Sequence, residues 1–194
     1  ETTNRSDILF FSNQCNVYKM HISDIADTKA SAMGEYLQNL LGMDAEEKII
    51  YMTTTVDYSG FLVFFFENGK GVKVQLSAYA TKTNRRKLVN AYASRSPLIF
   101  MQKLEEDTDF VLLRNYDKAT VLHTSLLPST TTKNAAGVQL FTLKKNSMVT
   151  QVIPASGFVT DDLEYYRTQK IPTAGHFIQE KDKQNNQIPG QMEL

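Results

Sequence analysis

Short apolar runs and polar turns alternate along the chain in a pattern that repeats about every fifty residues. Each repeat opens with an apolar run, passes through a polar turn, and ends in a segment of alternating apolar and polar side chains. The turns are rich in Asn, Gly and Asp, which adopt positive φ at low cost, and period-two alternation gives a strand one buried and one exposed face. Each repeat therefore predicts a β-hairpin, and the three hairpins align without gaps at 8–23, 62–77 and 110–125.

A second half follows each hairpin and contains two further apolar segments. Four short strands in a unit of about fifty residues are typical of a propeller-like array. The stretch 35–41 also fits a helical turn, but a strand is favoured because its neighbours have strand patterns. We place the repeats within 1–155, as units at 7–57, 58–107 and 108–155. The polar tail, 156–194, is expected to add a closing strand near Phe158 or Phe177 and otherwise to be loosely ordered.

The composition excludes a disordered chain or a membrane-spanning one, because 42% of the residues are hydrophobic without forming a long apolar segment. The longest apolar run, 61–66, is far shorter than the ~20 residues that span a bilayer. The single cysteine, Cys15, can form no internal disulfide, which suits a reducing cytoplasm. The first residues are polar, so the sequence shows no signal peptide. The chain does not begin with methionine, so we expect it to be a segment of a longer protein.

Positive charge is concentrated in one stretch, although the formal net charge of the whole chain is zero. Residues 67–103 hold 8 basic and 1 acidic side chains, whereas the stretches on either side are acidic overall. A local positive field attracts a polyanion such as nucleic acid, whose phosphates recur at short intervals. The candidate DNA-binding residues are Lys70, Lys73, Lys82, Arg85, Arg86, Lys87, Arg95, Lys118, Lys133, Lys144 and Lys145.

The other chemical motifs are interpreted as structural. The segment 68–71 lacks the full spacing of a phosphate-binding loop and is predicted to be a hairpin turn. The acidic run 105–109, like Asp44, Glu46 and Glu47, is predicted to be a solvated connector rather than a cation site. The histidines are scattered without metal-ligand spacing, so no metal site is expected among them.

Three stretches together resemble the C-terminal domain of the A subunit of bacterial DNA gyrase and topoisomerase IV, which are type IIA topoisomerases. They are ILFFSN at 8–13, TKTNRRKLVNAY at 81–92, which is similar to clostridial-type members, and GVQL at 137–140. The resemblance extends over most of 8–153. It implies an all-β fold, a β-pinwheel in which four-stranded blades exchange a strand with their neighbours, with about three to four blades in an open or reduced array.

The resemblance also implies a function. The domain would bind and wrap duplex DNA largely without sequence specificity and present it for strand passage. It would be non-catalytic and hold no cofactor, because the catalytic tyrosine and the ATP and Mg²⁺ sites of the parent enzyme lie in other parts. Its partners there would be the A-subunit catalytic core and the ATPase B subunit, in the cytoplasm at the bacterial nucleoid. The isolated chain is expected to be monomeric.

Some positions depart from the pattern of the family. Its blades often carry a basic residue four positions before the blade's glycine; Lys133 meets this before Gly137, but Ala30 stands before Gly34, and the second unit lacks the glycine. The heptapeptide that marks true gyrases is absent, which favours topoisomerase IV-like behaviour without deciding between the two. The alternative function is a propeller-like scaffold that binds a protein, since a fold does not determine a function.

Overall fold

The computed structural model describes residues 5–25, 36–81, 86–142 and 146–188, whose strands form three sheets. The first sheet contains β1 (Asp7–Ser12), β2 (Val17–His21), β3 (Ile49–Thr55) and β6 (Lys87–Leu88). The second contains β4 (Phe61–Phe66), β5 (Lys70–Gln75), β7 (Leu98–Leu104), β10 (Ser129–Thr130) and β11 (Val138–Gln139). The third contains β8 (Asp109–Arg114), β9 (Lys118–His123), β12 (Val149–Pro154) and β13 (His176–Phe177).

Each sheet is built around one of the predicted hairpins. The third residue of the hairpin turn has positive φ in all three, at Cys15 (58°), Gly69 (75°) and Asp117 (52°). A later strand of the same unit, β3, β7 or β12, pairs antiparallel with the first hairpin strand, and its register shifts near the turn in every case. The same local pattern therefore produces the same local geometry three times, and we call each sheet a blade.

Every blade is completed by a short strand from the chain that follows its own unit. β6 pairs with β2, β11 with β5, and β13 with β9, each antiparallel and at the free edge of the hairpin. Just beyond each exchanged strand an N–H group donates to the carbonyl of the residue with positive φ in the turn, and these donors are Ala91, Leu140 and Ile178. The third blade thus takes its last strand from the tail, at Phe177.

The apolar runs are continuous because both faces of a blade are buried. Leu9 and Phe11 of β1 belong to a core shared with β4, whereas Ile8 and Phe10 face the opposite side. In the same way, alternate residues of β4 and of β8 contribute to the cores on the two sides of their blades. The three blades are therefore stacked in series through shared apolar layers.

Both outer faces of the stack are covered. On the first blade, α1 (Leu37–Leu41) places Leu37, Leu40 and Leu41 against the face that bears Ile8 and Phe10. The prediction of a strand at 35–41 was wrong, because apolar residues at i, i+3 and i+4 lie on one side of a helix. Glycine at the C-terminus, with φ 63°, ends that helix.

The outer face of the third blade is covered by the tail. Buried Phe158, Tyr166 and Ile178 pack against the side chains of β8 and β9. The tail also contains α2 (Glu180–Asn185) and 3₁₀ turns at Ala155–Gly157 and Glu164–Tyr166. Within the ranges that the structure describes, no helix has the length and apolar character needed to cross a membrane.

Candidate nucleic-acid interface

Three chain segments come just before the exchanged strands, and we call them the edge loops. The first is described only at Arg86, which precedes β6; the second is 131–136 and the third is 168–174. β10 runs parallel to β5 ahead of the second loop, and Arg167 forms a parallel bridge with Val121 of β9 ahead of the third. Ahead of the first loop, Lys19 of β2 donates a hydrogen bond to Thr81 Oγ1 at 2.9 Å. Each edge loop therefore occurs at the free edge of one blade.

Each edge loop carries one described basic side chain that is available for a ligand. Arg86 and Lys170 are exposed and Lys133 is half-buried. Across the part of the chain that the structure describes, none of the three side chains forms a hydrogen bond or an ion pair. Three cations thus recur at one edge of three successive blades, with no carboxylate compensating them directly.

Sequence reasoning missed Lys170, because the tail was not counted as part of the repeat. The signal is present: Ala174 and Gly175, with Ile178 three residues later, repeat the Ala-Gly-x-x-aliphatic pattern that ends at Leu140. Gly175 and its equivalent in the second unit both have positive φ, at 68° and 77°. In the first blade, the position of these two glycines is occupied by Lys87, which pairs with Tyr18 of β2.

Two other predicted residues lie nearer the hairpin turns. Lys70 begins β5, and its ammonium group has no bonded partner among the described residues. Arg95 is exposed and lines an open groove of about 440 Å³ between the first and second blades. Asn13, Ser94 and Ser96 line the same groove together with apolar residues such as Ile50 and Leu98, so its surface is mixed.

Lys73 was predicted to bind DNA, but the structure buries its side chain. It is only 6% exposed, and its ammonium group binds Asp107 at 2.8 Å and lies 5.1 Å from the ring centroid of Phe61. Burial would raise the pKa of Asp107, but hydrogen bonds from Lys73 and Thr124 outweigh it and the pKa lies below its ordinary value. The acidic connector therefore contributes a structural ion pair here.

Lys118 is also engaged within the fold. Its ammonium group lies 3.7 Å from the ring centroid of Phe177 and 3.4 Å from the carbonyl oxygen of Gly175. Lys118 occupies the turn position equivalent to Lys70, as the sequence alignment predicted. Lys118 is half-buried, and its positive charge lies at the edge of the third blade, covered by the Phe177 ring.

Lys87 and Glu47 join the first two units. Glu47 was predicted to be solvated, which is wrong: it is fully buried and accepts hydrogen bonds from Ser12, from Asn16 at 2.8 Å and from Tyr18 at 2.6 Å. The ammonium group of Lys87 lies 3.9 Å from this carboxylate. Burial alone would raise the pKa of Glu47, but these donors and the Lys87 charge lower it.

The remaining predicted site residues, Lys82, Arg85, Lys144 and Lys145, lie outside the residues that the structure describes, as do Ala30 and Gly34. In the described ranges, no three His, Cys, Asp or Glu side chains are grouped so that they could hold a metal ion. The described part of the candidate interface therefore consists of Arg86, Lys133 and Lys170 on the edge loops, with Lys70 and Arg95 near the turns.

Comparison with known sequences gives two related proteins. No family model matches the chain. The DNA gyrase A protein of Lawsonia intracellularis is 22% identical over 149 residues, which is 76% of this chain and 18% of that protein. The DNA gyrase A protein of Buchnera aphidicola subsp. Baizongia pistaciae is 26% identical over 148 residues, 75% of this chain and 17% of that protein. The chain thus spans less than a fifth of the length of these relatives.

Comparison with solved structures gives the same group of proteins. The C-terminal domain of DNA topoisomerase IV superposes with a TM-score of 0.73 at 17% identity, covering 91% of this chain and 59% of that one. The E. coli ParC C-terminal domain gives 0.69 at 11% identity, with 92% and 79% covered. The DNA gyrase A C-terminal domain gives 0.59 at 13% identity, with 90% and 60% covered.

The predicted resemblance is confirmed by both comparisons, and the all-β fold class is confirmed by the strands themselves. The sequence similarity covers about three quarters of the chain, and the structural similarity covers 91% of it. This chain therefore has the β-pinwheel fold of the gyrase A and topoisomerase IV C-terminal domains, and its sequence is related to DNA gyrase A over three quarters of its length.

Proposed function

We propose that this chain binds duplex DNA along its three edge loops, largely without sequence specificity. The observation that carries this proposal is the recurrence of Arg86, Lys133 and Lys170 at equivalent edges of successive blades without an acidic partner. A protein that follows the DNA backbone needs cations at repeated intervals, because the phosphates it neutralises are themselves regularly spaced. Contacts of this kind position the duplex and carry no sequence information.

The serial stacking of the blades suggests that the duplex bends as it passes from one edge loop to the next. Bending costs less at flexible base steps, so the interface favours deformable segments of DNA. In the sequence, Lys82 and Arg85 come shortly before Arg86, whereas 131–136 and 168–174 hold one basic residue each.

In its parent protein the chain serves as the non-catalytic C-terminal module of a type IIA topoisomerase, within the A subunit, where it presents DNA for strand passage. The sequence similarity to DNA gyrase A supports this assignment. Its partners are then the A-subunit catalytic core and the ATPase B subunit of an ATP- and Mg²⁺-dependent enzyme. In this proposal the chain contributes binding to that enzyme rather than turnover.

Removing the edge-loop cations is expected to flatten the salt dependence of DNA binding. Each of Arg86→Ala, Lys133→Ala and Lys170→Ala removes one phosphate contact, so the slope of log K against log salt falls by about 0.9 per variant. The triple variant loses about 2.7. The measurement is fluorescence anisotropy with a linear duplex of about 40 base pairs across a salt series.

Lys181→Ala is the matched control. Lys181 is equally a surface lysine, but it lies on α2 and is paired with Asp161. This variant is expected to keep the slope of the wild type. A triple variant whose slope equals that of the wild type would contradict the edge-loop path. Absence of wild-type binding at low salt would contradict DNA binding altogether and favour the protein-binding scaffold.

A further inference from the structure

An exposed phenylalanine lies at the free edge of the third blade. Phe177 is 62% exposed, although it belongs to β13, which pairs directly with β9. Exposing an aromatic ring of this size leaves a large apolar area in water, which a protein core ordinarily removes. The preceding His176 is exposed too, and its ring lies 4.9 Å from that of Tyr165. The edge therefore presents aromatic rings to solvent.

The backbone and a cation hold Phe177 in this outward position. The pairing of Phe177 with Lys118 fixes its place on the sheet edge, and the next residue, Ile178, is buried. The N–H group of Ile178 donates to the carbonyl of Asp117 at 2.8 Å. The Lys118 ammonium group lies 3.7 Å from the Phe177 ring centroid, a cation–π contact that supports the ring on one side. Phe177 therefore lies on a hydrogen-bonded strand rather than on a loop.

The repeat places Phe177 close to the proposed DNA path. It lies opposite Lys118 just as Gln139 lies opposite Lys70, and both residues follow an edge loop. The residue that follows β6 in the first blade is Val89, which is 59% exposed. The outward position of the exchanged strand is therefore apolar in two of the three blades. It is largest in the third, where the residue is phenylalanine.

Two carboxylates near this edge form ion pairs within the fold. Asp117 binds Lys183 at 2.8 Å, and Asp109 binds Arg167 at 2.9 Å. The Arg167 guanidinium group, through its hydrogen bonds, lowers the pKa of Asp109, so this carboxylate is ionised and paired. Arg167 also binds Glu164 and Lys183 also binds Glu180, so each of these four carboxylates has a cationic partner, although two cations serve all four.

We propose that Phe177 is a wedge that inserts between base pairs of the duplex where it bends past the third blade. The inference rests on the proposed function and adds the chemistry of one contact to it. Apolar side chains inserted at a base step unstack it partly and kink the helix, which lowers the cost of following a curved surface.

Phe177→Ala is expected to reduce bending without changing the charge component of binding. The duplex of about 40 base pairs carries a donor and an acceptor at its ends and 2-aminopurine at its pyrimidine–purine steps. Wild-type protein should raise 2-aminopurine fluorescence through unstacking and shorten the end-to-end distance. The variant should lose both signals and bind about tenfold more weakly, with an unchanged salt slope because no cation is removed. Phe177→Trp should retain both signals.

Tyr36→Ala is the matched control, since Tyr36 is 64% exposed and aromatic but precedes α1 on the first blade. This variant should behave as the wild type, and thermal unfolding should show that all the variants stay folded. A Phe177→Ala protein that bends and unstacks DNA like the wild type overturns the wedge and leaves the proposed function intact. A wild type that binds no DNA overturns both.

Discussion

Replacement of Glu47 by leucine is expected to lower the midpoint of thermal unfolding by about 10 °C, from a loss of about 4 kcal/mol in the free energy of unfolding. Leucine has a similar size but leaves Ser12, Asn16 and Tyr18 buried without their acceptor. Each buried donor that loses its partner costs about 1–3 kcal/mol. The substitution also removes the negative charge that faces Lys87, and this ion pair connects the exchanged strand β6 to the first blade. Circular dichroism on heating measures the effect.

The neighbouring Glu46→Leu variant is the control, because Glu46 is exposed and has no bonded partner in the described structure. Its midpoint should stay close to that of the wild type. Should Glu47→Leu unfold at the same temperature as Glu46→Leu, the buried carboxylate would have no stabilising role.

The stabilisation by Glu47 should depend on pH in a defined direction. The pKa of Glu47 in the folded chain lies below its ordinary value of 4.5. The carboxylate network is therefore fully present above that value and is lost as the pH falls through the lower pKa of the folded state. A Glu47→Gln variant should consequently lose less stability on acidification than the wild type does. Equal acid sensitivity of the two proteins would contradict this assignment.

Gly137→Ala should detach the exchanged strand of the second blade and cost about 3 kcal/mol of folding free energy. Gly137 has φ 77°, and a methyl group there would lie 2.7 Å from the carbonyl carbon of Gly71 and 3.2 Å from the Cβ of Val72. Both neighbours belong to β5, whose place in the sheet prevents an easy shift. Hydrogen exchange should reveal the change locally, because the N–H group of Leu140 then loses its bond to Gly69.

Alanine substitutions at two other glycines distinguish the cost of backbone strain from the cost of steric contact. Gly42 has φ 63° with open space around it, so Gly42→Ala should cost only about 1 kcal/mol. Gly157 lacks positive φ, and its added methyl group would lie 3.3 Å from Ile153, so Gly157→Ala should be close to neutral. If Gly137→Ala cost no more than Gly42→Ala, the close approach of β11 to β5 would be unimportant for stability.

The hairpins followed from the sequence because their determinants are local. A positive-φ turn flanked by apolar runs requires contacts only between residues close in the chain, and Gly69 lies where the pattern predicts it. The exchanged strands were harder to find. Each is two residues long and pairs with a strand from the preceding unit, so no periodicity can develop within it. The helix at Leu37–Leu41 depended on the exposed side of the first blade, which a pattern of strands does not reveal.

The same distinction between local patterns and tertiary contacts applies to the candidate interface. Sequence by itself determined that cations concentrate in 67–103 and that the chain folds as repeated hairpins, because charge counts and short-range patterns need no partner from elsewhere. Only the tertiary structure decided which cations face outward. The charge of Lys73 is paired with Asp107, which is 34 residues away in the sequence. Lys170 lies at the candidate interface because the tail supplies the last strand of the third blade. Whether a charge is buried or available depends on contacts between distant segments, and those exist only once the blades have stacked.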